Sequence, residues 1–236
     1  MIRLRDLSDC SRRPDPTNHV EDSDAVLIRI AACLEAAKQK QMTQDEKHRV
    51  EPIERLRAKM NALKRRIRRT DYGAGTPDSK RTQQEMEAGV RVTQTLGDFT
   101  RASSKAPFWC LFLFKLIRAT RPSVCLELGT GVGISGAYQA AALEMNGQGK
   151  LTTMEGSPEL SHTARANFAR LELKAVEVVT GRFQDRLPGV LQDAKSIDHV
   201  FIDGHHDGRA TLSYFSQIRP FLTEKAIVVF DDVAWS

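Results

Sequence analysis

The chain has 236 residues, a formal net charge of +5, 41% hydrophobic and 28% charged residues, which suits a soluble protein with one sizeable core plus an extension. Cys10, Cys33, Cys110 and Cys125 show no metal-type spacing and Met1 to Cys10 has no apolar signal core, which points to reduced cysteines in a cytoplasmic protein. The apolar run Phe108 to Ile117 is about ten residues long and is interrupted by Lys115, too short to span a bilayer.

In chain order, residues 1–23 are polar, carry Pro14 and Pro16, and read as a disordered tail. Residues 24–75 read as a helical extension. A first helix runs from Asp24 to about Lys40, with Ser23 or Asp24 as cap and Val26, Leu27, Ile30, Ala31 and Leu34 among its apolar positions. A second starts near Pro52 and carries a narrow seam of Ile53, Leu56, Met60, Leu63 and Ile67. That seam can pack on the first helix, on the main domain, or on a second copy to give a homodimer. Eight Lys or Arg and no acid lie between Arg55 and Arg69, but no aromatic interleaves them, so a solvated basic face is favoured over nucleic-acid binding. Gly73 can end this helix. Gln83 to Ala102 is weakly helical, with Met86, Val90, Thr93 and Leu96 on one side. Pro107 to Ala119 is apolar nearly all round, so the pattern predicts a buried helix.

Residues 76–236 form the main domain. Val124 to Leu128 is a short apolar strand, broken by Gly129, Gly131 and Gly133, and a helix follows from about Ile134 to Met145. Strand, glycine turn and helix build a nucleotide-sized crevice in a doubly wound α/β sheet. Strands at Lys150 to Glu155, Ala175 to Thr180, Ile197 to Asp203 and Ala226 to Asp231 then alternate with helices, which implies a mainly parallel sheet.

Every strand ends in polar residues, and in a parallel sheet these share one edge. Glu127 precedes the glycine loop, Glu155 ends the second strand, and Gln184 and Asp185 follow the third. Asp203, His205 and His206 follow the fourth strand, and Asp231 and Asp232 the fifth. The pattern predicts one acidic, partly glycine-lined pocket at the carboxyl ends of the strands. Glu127 would repel a pyrophosphate and suits a cationic or amino-bearing ligand. Glu155 stands about twenty residues past the glycine turn, where an acid accepts hydrogen bonds from a ribose diol.

Leu126-Glu-Leu-Gly-Thr-Gly-Val-Gly133, Thr153-Met-Glu155, Gly181-Arg-Phe-Gln-Asp185, Val200-Phe-Ile-Asp203 and Val229-Phe-Asp-Asp-Val233 resemble the successive motifs of class I S-adenosylmethionine-dependent methyltransferases. The resemblance is to the catechol and caffeoyl-CoA O-methyltransferase type and its bacterial relatives, and it covers about Asp71 to Ser236. It implies the Rossmann-like methyltransferase fold and O-methyl transfer to a small-molecule acceptor. Glu127 and the backbone of Gly129, Thr130, Gly131 and Gly133 would hold the methionine part, with Ser135 near its carboxylate. Glu155, with Gly156 beside it, would take the ribose hydroxyls, and Phe183, Gln184 and Asp185 would border the adenine. Asp203, Asp231 and Asp232 match positions that bind a divalent cation such as Mg²⁺ in the metal-dependent members, where Asp232 is often an asparagine. Asp203 and His206 are the candidate catalytic residues; His206 stands where catechol methyltransferases carry a lysine. Members of this class continue past the fifth strand with a helix and two more strands, so the resemblance implies a C-terminally incomplete domain with an open strand edge.

Two other readings use the same pattern. A nicotinamide-dependent dehydrogenase would carry G-x-G-x-x-G, whereas the glycines here read G-x-G-x-G with Glu127 in front. A degenerate module acting through its basic N-terminal segment would leave the strand-end carboxylates unused.

Overall fold

A computed structural model of the chain describes residues 16–76, 79–205 and 207–231. Among these, five parallel strands form the central sheet in the order β7-β6-β5-β8-β9. They are β5 Val124–Leu128, β6 Lys150–Glu155, β7 Val176–Thr180, β8 Ile197–Ile202 and β9 Leu222–Phe230. The strand order reverses between β5 and β8, which places the switch point of the doubly wound sheet at the glycine loop.

Alternate residues of the strands face two separate cores. Cys125, Leu151, Val178 and Ile227 pack with α5 Pro107–Thr120, α6 Ile134–Asn146 and α7 Pro158–Arg170. Leu126, Leu128, Met154, Val200, Ile202 and Val228 pack with α8 Phe183–Ala194 and α9 Gly208–Ile218. The apolar run from Cys110 to Ile117 makes α5 a buried helix, as its all-round hydrophobicity predicts.

The N-terminal extension joins the first of these cores. Helices α1 Pro16–Lys38 and α2 Gln44–Ala62 contribute Ile30, Cys33, Ala37, Val50, Ile53, Leu56 and Met60 to it. The first helix thus begins at Pro16, within the stretch expected to be a tail; residues 1–15 lie outside the described residues. The second begins at Gln44, not near Pro52, because Thr43 and Glu46 form a capping box. The Glu46 N–H donates to Thr43 Oγ1 at 3.2 Å, and the Thr43 N–H donates to Glu46 Oε2 at 2.9 Å.

Two further expectations change. The seam does not continue along α2 to Ile67, which instead lies on β1 Arg66–Asp71. The stretch Gln83 to Ala102 divides into α3 Gln83–Ala88, β4 Val90–Thr95 and α4 Leu96–Ser103. Gly89, at φ 77°, supplies the break. Strands β1 and β4 pair antiparallel, with Ile67 opposite Gln94, so the ladder crosses the domain boundary expected at residue 75. Much of the basic run therefore lies on a strand and its approach, not on one helical face. A short ladder of β2 Gly75–Thr76 with β3 Ser79–Lys80 lies between them in sequence. Among the described residues, no helix is long and apolar enough to cross a membrane.

Because Ile53 is 1% exposed inside this shared core, Ile53→Ala is expected to cost about 2–4 kcal/mol in urea unfolding. A change near zero would show that α2 is an appendage to the α/β core.

Candidate active site

The hydrogen-bond ladder of the sheet continues past the strands and draws their exit loops together. The N–H groups of Gly129 and Thr130 donate to the Met154 carbonyl, and the Asp203 N–H donates to the Leu128 carbonyl at 2.8 Å. The Asp231 N–H donates to the Ile202 carbonyl at 2.9 Å, and the Gly181 N–H to the Glu155 carbonyl at 2.9 Å. The glycine turn presses against the end of β8: a Cβ on Gly129, whose φ is 109°, would lie 2.1 Å from the Asp203 carbonyl oxygen. Only glycine fits there.

Behind the loop sits Glu127, fully buried. Ser135 Oγ and Gln139 Nε2 donate to its Oε1 at 2.7 and 2.8 Å, and Thr153 Oγ1 donates to its Oε2 at 2.6 Å. Thr130 joins the same network through Thr153, Oγ1 to Oγ1 at 2.6 Å. Burial pushes the Glu127 carboxyl up to about 7, against the pull of these donors. Glu155 takes a different part. Its Oε2 accepts the Gly131 N–H at 2.8 Å and its Oε1 the Ser157 N–H at 2.8 Å, so it sets the shape of the loop while facing the cleft.

At the other end, Lys105, from the linker between α4 and α5, reaches the exits of β8 and β9. Its Nζ lies 3.0 Å from Asp203 Oδ1 and also donates to Asp231 Oδ2. Burial opposes the Lys105 charge, but Asp203 and Asp231 outweigh it and the ammonium is held more firmly protonated. Burial raises the Asp203 carboxyl well above the usual range; Lys105 works against this and Asp231 adds to it.

One cavity of about 510 Å³ connects the two ends. Of the expected residues it is lined by Gly129, Thr130, Gly131, Ser135, Glu155, Gly156, Phe183, Gln184, Asp203, His205 and Asp231. Three others do not line it. Glu127 lies behind Ser135, Gly133 caps α6, and Asp185 is on the exposed side of α8, 3.6 Å from Arg182 Nε. Glu127 and Asp185, expected as ligand contacts, thus stand outside the cavity wall. His206 and Asp232 lie outside the described residues.

The wall also holds residues that sequence reasoning missed. Tyr72 lies against Gly156, where a Cβ would come 2.9 Å from its ring, and the Ala74 N–H donates to the His205 carbonyl at 2.8 Å. Arg69, Phe99, Lys105, Trp109 and Tyr214 also line it. The one available signal for Lys105 was its position as a charge just before the apolar run of α5.

The bare backbone of the glycine loop, the Glu155 carboxylate beside it and the Phe183 ring fit a ligand with a ribose and a flat base. The carboxylates Asp203 and Asp231 do meet, but around the Lys105 ammonium. Among the described residues no group of three or more His, Cys, Asp or Glu is arranged to hold a metal ion, and Asp232, the third residue of the expected set, lies outside them.

This fold and cleft define a nucleotide-type α/β enzyme with a polar acceptor end. A family model described as a methyltransferase domain matches residues 126–233. The catechol O-methyltransferase of Niastella koreensis is 32% identical over 152 residues, covering 63% of this chain and 67% of that protein. The chain belongs to the class I S-adenosylmethionine-dependent O-methyltransferases, and it is an enzyme of that class. A solved O-methyltransferase of Streptomyces achromogenes, TomG, involved in tomaymycin synthesis and in complex with SAM, is 27% identical. The match covers 56% of this chain and 58% of that one, with a TM-score of 0.51. The SAH-bound methyltransferase of Podospora anserina shares the fold at 17% identity, over 94% of this chain and 72% of that one, with a TM-score of 0.54. The chain spans about half the length of the mycobacterial O-methyltransferase relatives it also matches.

The buried carboxyl gives a stability test. The folded protein holds the Glu127 proton up to about pH 7, while an unfolded glutamate releases it near about pH 4.3. This contribution to stability is full below the lower value and is lost as pH rises through the upper one, on the order of 4 kcal/mol in all. Glu127→Gln is expected to flatten that part of the slope in urea unfolding between about pH 4 and pH 8. Equal slopes in the two proteins would show that Glu127 is ionised throughout.

Proposed function

We propose that this enzyme methylates a hydroxyl of a small aromatic acceptor and that the cavity at the strand ends holds donor and acceptor end to end. The observation that carries this reading is the juxtaposition of the glycine loop and Glu155 with the Lys105–Asp203–Asp231 cluster across one cavity. S-adenosylmethionine, when bound, supplies a methyl group already activated on a positively charged sulfur. The protein's work is then to align, to exclude water and to move one proton.

Each part of that work has a candidate. The loop backbone from Gly129 to Gly131 and Ser135 would receive the amino-acid end of the donor, Glu155 its ribose hydroxyls, and Phe183 and Gln184 its base. Tyr72, tied down beside Gly156 and the His205 loop, would cover it from water. Asp203 would accept the proton that the acceptor hydroxyl loses as it takes the methyl group. His206, next to His205 in sequence and outside the described residues, remains the alternative proton acceptor.

Trp109 supports an aromatic acceptor. It is 48% exposed at the cavity wall, with Phe108 and Phe112 packed edge-on against it at 4.7 and 6.2 Å between ring centres. A flat ring can stack there. The Niastella relative is named for catechol, which makes catechol a reasonable first probe.

Calorimetry with S-adenosylhomocysteine is expected to show one site per chain and none for NAD⁺. Glu155→Ala removes a charged acceptor and releases the Gly131 N–H, so it should weaken that binding by about tenfold or more. Unchanged affinity in the variant, or preference for NAD⁺, would overturn the assignment of the cleft.

A further inference from the structure

Two carboxylates from different strand exits share one ammonium at the acceptor end of the cleft. Asp203 is 8% exposed at its side chain and Lys105 15%, so the cluster is shielded from bulk water. The lysine is also held from behind. Arg57 Nη1 donates to the Lys105 carbonyl at 2.6 Å, while its Nε is clamped by the Glu54 carboxylate at 2.9 and 3.1 Å. Tyr138 Oη donates to the same Glu54 at 2.7 Å. A continuous set of bonds thus runs from α2 and α6 to the Lys105 main chain, and from its side chain to the ends of β8 and β9.

The electrostatics follow from this placement. One ammonium serves two carboxyl groups, and the crowding of these two acids raises the proton affinity of Asp203 while Lys105 opposes it. Lys105 Nζ holds Asp203 Oδ1 and Asp231 Oδ2, so a divalent ion taking those two oxygens would displace it and leave a buried cation without its partners. Lys105 has three N–H donors; two go to Asp203 and Asp231, and one remains for an acceptor oxygen lying in the cavity.

We propose that Lys105 is a built-in cation at the acceptor end of the site and that this enzyme works without a divalent metal. The proposal rests on the methyltransferase reading for the meaning of the cleft. Occupancy of the carboxylate pair by Lys105 can be tested separately.

The test is a Mn²⁺ titration followed by electron paramagnetic resonance, on the full chain and on Lys105→Ala and Lys105→Ser, each with S-adenosylhomocysteine calorimetry in parallel. The full chain is expected to leave Mn²⁺ free, and at least one variant to gain one Mn²⁺ per chain with at least about tenfold higher affinity. Stoichiometric Mn²⁺ binding by the unsubstituted chain, as tight as in the variants, overturns the proposal, as does failure of folded variants to gain any. Retained S-adenosylhomocysteine binding certifies that a variant is folded; if neither variant folds, the unsubstituted chain's titration alone decides. Absence of S-adenosylhomocysteine binding by the unsubstituted chain would instead sink the methyltransferase reading, with the Mn²⁺ comparison still standing on its own.

Discussion

The carboxylate of Glu127 is buried among neutral donors, and much of the cofactor end is built around that fact. Taking an ionised carboxylate out of water costs several kcal/mol unless its oxygens are satisfied. Here Ser135 and Gln139 come from α6 and Thr153 from β6, with Thr130 bonded to Thr153 behind the loop. Satisfying one group thus fixes the start of α6, the neighbouring strand and the glycine turn between them. The same packing leaves little room nearby. A Cβ on Gly136 would come 3.0 Å from Glu127 Oε2, and one on Gly133 would come 2.7 Å from the Phe168 ring. Glu127 accepts from Ser135, and Ser135 in turn lines the cavity wall.

The extension before residue 124 completes the cleft in two places. Helix α2 pins Lys105 through Arg57, which places a cation at the acceptor end. The segment after β1 brings Tyr72 onto Gly156 and ties Ala74 to the His205 carbonyl. Arg81 braces that segment, with Nη2 3.0 Å from Asp71 Oδ2 and Nη1 2.8 Å from the Gly73 carbonyl. A parallel sheet offers ligands only its carboxyl edge. The walls above that edge come from elsewhere in the chain, and here they come from elements that share the α/β core.

How far the sequence disclosed this depended on the kind of signal. From Val124 onward, continuous apolar strands alternate with helices, and that period is hard to misread; all five strands of the sheet fall where the pattern puts them, with shifts of a few residues at their ends. The β1–β4 pair was misread because a two-stranded ribbon buries little of each strand. Ile67, the one fully buried residue of β1, happens to continue the three-and-four spacing of α2. The alternation Val90-Arg-Val92 and the glycine before it were the available strand cues. The start of α2 was legible in Thr43-Gln-Asp-Glu46, but Pro52 drew the boundary inward; it lies inside the helix instead. The role of Lys105 was not legible, because its partners are 98 and 126 residues away and no local period links them.

The strand-end acids also show why a shared edge need not be a uniform one. Glu127 is compensated by hydroxyl and amide donors and by its own raised proton affinity, so it presents no charge to a ligand at low pH and little surface at any. Glu155 is compensated by two main-chain N–H groups, which leaves each oxygen free to accept again from a diol. Asp203 and Asp231 are compensated by a full positive charge, which leaves an ammonium N–H and a carboxylate side by side. The sequence places similar side chains after four strands of one sheet. What each can bind is decided by the donor the fold has set against it, and that donor comes in turn from α6, from the loop itself, and from the linker before α5.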